Sequence, residues 1–167
     1  MRSRILAVVF IVVAMLAAAV LACSDGSTTE SSFGIYLVDN GELVLSDKQI
    51  KSYYAETYVI ELNEEGRQIW ESYIPYNDSF APPIPVLGCL FARDFVIKVD
   101  EEEIYQGKFY SALSSSSYDG IVILDTMSSV DRLQINFGYP GSFDARGEDS
   151  RDDARIIHFF EERGLLV

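Results

Sequence analysis

Few residues in this chain belong to types that do chemistry, and the single histidine shows why. His158 is the only histidine among 167 residues. Arg155 and Glu162 lie three and four positions away, which predicts an exposed histidine that forms ion pairs rather than a catalytic base. A serine triad would need this histidine in a cleft, and one histidine with one free cysteine is too little for zinc. The sequence therefore predicts no catalytic residue, no metal and no cofactor.

Two acidic segments leave other chemistries open. Residues 100–103 are interpreted as the solvated tip of a hairpin. Residues 144–153 carry spaced acids around Gly147, although Arg146 occupies a ligand position of the EF-hand spacing. A weak calcium-binding module therefore remains an alternative. So does a small hydrolase with acidic residues in a pocket.

The two cysteines differ in setting. Arg2 and Arg4 precede an uncharged apolar run, residues 5–22, which ends in small residues and has the pattern of a secretory signal peptide. Residues 20–23, Val-Leu-Ala-Cys, resemble the lipobox of bacterial lipoproteins. That resemblance implies cleavage after residue 22, an acyl lipid such as palmitate on Cys23, and an extracytoplasmic domain anchored to a bacterial membrane. An uncleaved transmembrane helix is the alternative, at the lower edge of spanning length.

The second cysteine, Cys89, has no intramolecular partner if Cys23 is acylated. Its neighbours, PVLGCLFA, are apolar. A thiol becomes reactive through exposure and a lowered pKa, so this setting predicts a buried and inert one.

The rest of the chain is predicted to be a short tether and one domain. Residues 23–32 are polar and small, which is typical of a flexible linker. Residues 33–167 are long enough for a single core. After residue 22 the chain has 11 basic and 26 acidic residues, a net charge of −15. Such a surface repels nucleic acid, so no nucleic-acid partner is expected.

Alternating apolar residues predict strands over seven stretches: 33–39, 42–45, 57–62, 95–100, 101–113, 121–125 and 133–138. Ser46 and Gln49 have the spacing of a capping box, which predicts a short helix through about Tyr53. Asn63 is predicted to cap a second helix, and residues 151–164 a third. We therefore expect an α+β fold, with an antiparallel or mixed sheet and helices packed on one face.

The helix after Asn63 has an apolar face made of Ile69, Trp70, Tyr73 and Ile74. This spacing predicts that the helix packs on the sheet, with Trp70 as its main contact.

A proline-rich segment, residues 77–94, follows this helix and is called the flap below. Pro82, Pro83 and Pro85 exclude a helix or a central strand there. Because the segment also contains apolar residues, we expect an ordered loop that packs over the core. Phe80 and the three prolines are the candidate partner-binding residues.

Part of the domain resembles the periplasmic head subdomain of SecD, a protein-export membrane protein. The resemblance lies in YVIELNEEGRQIWESY, FVIKVDEEEIYQGKF and GIVIL, between residues 58 and 125. The matching positions are Leu62, Glu65, Gly66 and Trp70 in the helix signature, and Val96, Val99 and Asp100 in the strand signature. The Asp-Gly turn of the family reads Asp-Glu here, and the flap is an insertion. The resemblance implies a SecD-head-like fold and contact with other proteins.

These observations favour a lipid-tethered, non-enzymatic domain that binds or shields a protein partner at the cell envelope. We expect its working surface at an unpaired sheet edge, which can accept an extended chain, or at the flap. The flap is the better candidate, because it places stiff prolines beside apolar residues. A solute-binding lipoprotein is disfavoured because such proteins usually have two lobes.

Overall fold

Ten strands and two α-helices make up the described part of the chain, which comprises residues 32–81, 84–124 and 130–167 of the computed structural model. The strands are β1 (Phe33–Leu37), β2 (Leu43–Ser46), β3 (Ile50–Tyr54), β4 (Val59–Leu62), β5 (Tyr76–Asn77), β6 (Ile84–Pro85), β7 (Asp94–Val99), β8 (Glu102–Tyr110), β9 (Tyr118–Leu124) and β10 (Arg132–Tyr139). The helices are α1 (Glu64–Ser72) and α2 (Ala154–Glu162), and three short 3₁₀ turns cover Asp47–Gln49, Ser142–Asp144 and Ser150–Asp152.

Eight of these strands form one mixed sheet. Their order is β2-β1-β7-β8-β9-β10-β4-β3, and β5 and β6 form a separate two-stranded ribbon. Every neighbouring pair in the large sheet is antiparallel except β8 and β9, which run parallel. The predicted α+β class with a mixed sheet is confirmed.

The first and last strands of this order are joined by only three residues, the 3₁₀ turn Asp47–Gln49. The sheet must therefore curl so that its two ends approach each other. The capping box predicted from Ser46 and Gln49 is present. The predicted helix through Tyr53 is wrong, because residues 50–54 pair with β4 and continue as a strand.

Both helices pack on the buried, concave face of the curled sheet. The Trp70 ring of α1 lies 6.0 Å from the ring of Phe109 on β8. The Phe160 ring of α2 stacks on Tyr53 of β3 at 4.7 Å and packs on Phe33 of β1 at 4.9 Å. Helix α2 therefore links strands from the two ends of the sheet.

Helix α1 is held close to the turn before β3. The Asn63 side chain accepts a hydrogen bond from the backbone N–H of Gly66 at 2.9 Å, so the predicted N-cap is confirmed. A Cβ on Gly66 would lie 2.4 Å from the carbonyl oxygen of Gln49, which explains a glycine inside a helix. The helix ends at Ser72, before Pro75.

The C-terminal residues cover the outer edge of β3. The Tyr53 N–H donates to the Leu165 carbonyl at 2.8 Å, and the Val167 N–H donates to the Tyr53 carbonyl at 2.9 Å. Gly164 has a φ of +66° and lets the chain turn after α2, as its predicted role as a C-cap requires.

Across the ranges that the structure describes, no helix is long and apolar enough to cross a membrane. The predicted signal peptide, residues 1–22, lies outside those ranges.

Candidate functional site

An open groove of about 450 Å³ runs between β2 and α1. Leu43 and Val44 of β2 form one wall, and Ile69 of α1 and Tyr73, the residue that follows the helix, form the other. Among the described strands, β2 has hydrogen-bonded pairing only with β1, so the groove follows the free edge of the sheet. We call it the edge groove.

The register of β1 and β2 gives the edge groove two distinct ends. Ser46 pairs with Gly34, and Leu43 pairs with Tyr36. Ser32 and the 3₁₀ turn therefore lie at one end, which we call the tether end. Tyr73 lies towards the other, the flap end, where the chain continues into the flap.

The edge groove exposes apolar surface that could have joined the core. Leu43 is 46% exposed, whereas Trp70 of α1 is 2% exposed. Ile69 and Tyr73 are half-buried, although the sequence placed them on the same apolar face as Trp70. Sequence reasoning missed this groove. The available signal was the width of the α1 face, which carries more apolar residues than one sheet contact needs.

Hydrogen bonds attach described residues of the flap to the chain that follows α1. The Cys89 N–H donates to the Tyr73 carbonyl, and the Val86 N–H donates to the Pro75 carbonyl, both at 3.0 Å. Leu90 is 1% exposed, so part of the flap packs on the core as predicted.

Of the four candidate partner-binding residues, the structure describes Phe80 and the backbone of Pro85. Phe80 is 52% exposed, between β5 and β6. Pro85 lies in β6 and pairs with Tyr76 of β5. Pro82 and Pro83 lie outside the described residues.

The prediction that Cys89 is buried is wrong, because its side chain is exposed. The flanking residues Gly88 and Leu90 are buried instead. Cys89 begins a turn, residues 89–92, in which the Phe91 N–H donates to the Gly88 carbonyl at 3.1 Å, and its side chain lies on the solvent side of this turn.

An ion pair between Arg93 and Asp39 lies near Tyr73, at the flap end of the edge groove. The Arg93 guanidinium donates to both carboxylate oxygens of Asp39 in the turn after β1, at 2.8 and 3.2 Å. These hydrogen bonds lower the pKa of Asp39 and raise that of Arg93. Burial raises the pKa of Tyr73, and the nearby Glu42 charge adds to the effect, so its hydroxyl stays neutral at physiological pH.

A second polar cluster surrounds Arg151, far along the sequence from the groove. The guanidinium donates to Asp149 at 2.8 Å and to the Ile135 carbonyl at 2.9 Å, and it lies 3.9 Å from the centre of the Tyr58 ring. The Tyr58 hydroxyl in turn donates to Asp152 at 2.6 Å. The cluster thus fastens the 3₁₀ turn Ser150–Asp152 to the sheet.

Acidic side chains of residues 144–153, the segment considered above for calcium binding, form ion pairs with arginines. Asp149 is paired with Arg151, and Asp153 is paired with Arg155 at 2.7 Å. Throughout the described ranges, no group of three or more His, Cys, Asp and Glu residues is placed to hold a metal ion.

Two buried tyrosines lie near this cluster. The Tyr105 hydroxyl is buried and has no hydrogen-bond partner within the described part of the chain. Burial raises its pKa well above the usual value, and raises that of Tyr53 to about 12. Both hydroxyls stay neutral at physiological pH, which suits packing and not nucleophilic attack.

The side chain of His158 is 69% exposed, and its Nε2 lies 3.2 Å from a Glu162 oxygen. The predicted exposure of His158, beside a carboxylate on the same helix, is confirmed.

No family model matches this chain, and neither the curated proteins nor the solved structures contain a match to it. The resemblance to the SecD head and the lipobox assignment therefore remain predictions. Cys23, the expected lipid attachment site, lies outside the described residues.

Proposed function

We propose that this protein is an extracytoplasmic lipoprotein, tethered to a bacterial membrane through lipidated Cys23, that binds an extended segment of a protein partner. The binding site is the edge groove, and the flap borders it. The domain has no enzymatic role in this proposal. The observation that carries it is an open apolar groove along the free edge of β2.

The physical basis is strand addition. An edge strand presents backbone N–H and C=O groups that an incoming extended chain can pair with. Alternate side chains of that chain would face the groove and contact Ile69 and Tyr73, while the others would face solvent. The opposite edge of the sheet, at β3, is already covered by the C-terminal residues. Within the described eight-stranded sheet, this leaves β2 as the edge available to a partner.

The net charge of the domain determines which kind of partner segment it attracts. A net charge of −15 after residue 22 attracts basic chains and repels acidic ones. The favoured occupant is therefore an extended segment that alternates apolar and basic residues.

The groove is tested by photo-crosslinking in living cells. A photoreactive residue replaces Leu43 in the groove or Phe80 on the flap, and Leu113, which is 56% exposed on a different loop, is the control position. We expect a discrete adduct from Leu43, weaker adducts from Phe80, and none from Leu113. Deletion of residues 80–85 should reduce the Leu43 adduct if the flap helps to hold the partner. Equal labelling from all three positions would contradict a specific site in the groove.

Lipidation is tested separately. Cys23→Ala should remove the acyl mass and abolish partitioning into the detergent phase. An unchanged mass and unchanged partitioning would contradict lipidation and favour an uncleaved transmembrane helix.

A further inference from the structure

The tether end of the edge groove is also the point where the described chain begins. Ser32 and Phe33 both line the groove. Ser32 is fixed there by two hydrogen bonds to Asp100: its N–H donates to the carboxylate, and its carbonyl accepts from the Asp100 N–H, both at 2.8 Å. The position of the groove relative to the end of the tether is therefore set by the fold.

The length of the preceding segment limits how far this end can be from the membrane. The tether from Ser24 to Ser32 has nine residues, and its full extension is about 30 Å. With lipid on Cys23, the tether end of the groove stays within about 30 Å of the bilayer surface, whichever way the domain rotates. The flap end is part of the same domain and can lie farther from the bilayer by the length of the groove.

We propose that the edge groove receives the extended segment of a membrane-embedded protein that directly follows one of its membrane spans. This inference rests on the proposed function and specifies its partner. A chain that leaves the bilayer within this distance can reach the tether end and run along β2 towards the flap. The tether does not suit the site itself, because SDGSTTESS has no apolar side chain for Ile69 and Tyr73 to contact.

The test uses the full-length protein in cells, with a photoreactive residue at Leu43. The matched control position is Phe143, which is fully exposed. It does not line the groove, so an adduct from Phe143 reports general proximity without access to the groove.

Each position is then combined with a longer tether, made by inserting 20 glycine and serine residues before Ser32. We expect the Leu43 adduct to contain a protein that resists extraction from membranes by alkaline carbonate. Its yield should fall about sixfold with the longer tether, because effective concentration falls roughly as the −3/2 power of linker length. The Phe143 position should not give this adduct.

Three results would overturn the inference and leave the proposed function standing. They are a Leu43 adduct with a protein that carbonate extracts, a Leu43 adduct with a second copy of this chain, and a yield that does not change with tether length. The same membrane protein captured equally from Phe143 would show proximity alone and also overturns the inference. No adduct from Leu43 in any background would overturn both the inference and the proposed function.

Discussion

At the scale of single residues, the clearest anomaly is the Tyr105 hydroxyl, which is buried without a hydrogen-bond partner in the described ranges. A polar group in this state has lost its water without compensation. Tyr105→Phe should therefore leave the free energy of unfolding unchanged or raise it by up to about 1 kcal/mol. Urea titration of residues 31–167 provides the measurement.

Tyr110→Phe is the matched control, since the Tyr110 hydroxyl is bonded to Ser116. This variant should lose about 1 kcal/mol. A comparable loss in Tyr105→Phe would mean that its hydroxyl has a partner after all, such as a buried water.

The Arg151 cluster makes stability depend on pH through Asp149. Hydrogen bonds from Arg151 hold the pKa of this carboxyl below its usual 3.8 in the folded state. Protonation then favours the unfolded chain, so the stabilisation is complete above about pH 5 and is lost as the pH falls through the folded pKa.

Asp149→Asn removes this dependence. We expect the variant to be less stable than the wild type at pH 6, and the difference to shrink steadily towards pH 3 in urea titrations. Glu148→Gln, at the exposed neighbouring position, is the control. A difference that is the same at pH 6 and pH 3 would contradict the ion pair.

At the scale of elements, α1 has two roles. Substitutions at two neighbouring residues, Ile69 and Trp70, separate these roles. Trp70 is 2% exposed and packs on the sheet, whereas Ile69 is half-buried and faces the edge groove. Trp70→Ala should cost about 3–5 kcal/mol of stability, because it leaves a large cavity. Ile69→Ala should cost less and should weaken the Leu43 adduct. Urea titration measures both costs, and a loss below about 1 kcal/mol for Trp70→Ala would contradict the packing described above.

The C-terminal residues are the element that closes one sheet edge. Truncation after Gly164 removes the two backbone hydrogen bonds that Leu165 and Val167 form with Tyr53. We expect lower stability and concentration-dependent self-association through the uncovered β3 edge. Sedimentation velocity over a range of concentrations measures the association, with the untruncated chain as the control. A truncated chain that stays monomeric would show that β3 is protected in another way.

Local patterns predicted most of the elements and the hairpin of β7 and β8, but not the pairing of strands that are distant in the sequence. Asn63 and Gly164 were recognisable as helix caps because capping depends on a few adjacent residues. Two pairings join segments that local spacing does not relate. They are the antiparallel pairing of β1 with β7 and the parallel pairing of β8 with β9. Residues 50–54 became a strand because β4 lies beside them, which overrode the helical start.

At the scale of the whole molecule, the candidate site arises from packing that no segment specifies alone. The edge groove needs β2 at the end of the sheet, α1 across the gap, and Ser32 fixed by Asp100. The flap could be predicted because three prolines within four positions restrict any chain. The groove could not, because Ile69 and Tyr73 look like core residues until the sheet order leaves them partly uncovered.

The net charge of the molecule gives the last prediction, which concerns the partner. After residue 22, 26 acidic residues outnumber 11 basic ones. An extended peptide that alternates apolar residues with lysine should bind the purified protein, because apolar side chains can enter the groove while the lysines meet an acidic surface. A peptide with glutamate at the lysine positions should bind at least about tenfold more weakly. Fluorescence anisotropy measures both affinities.

Two measurements separate the contribution of the surface charge from that of the apolar contacts in the groove: the salt dependence of binding and the effect of a groove variant. The preference for lysine should shrink between about 0.05 and 0.5 M salt, since screening acts on the surface charges and spares the apolar contacts. Leu43→Lys should weaken binding of the lysine peptide at both salt concentrations, because it places a cation on the edge strand and removes an apolar wall of the groove. Leu113→Lys adds the same charge away from the groove and should have a much smaller effect. If both variants weaken binding equally, the peptide is held by net charge alone and β2 is not its site.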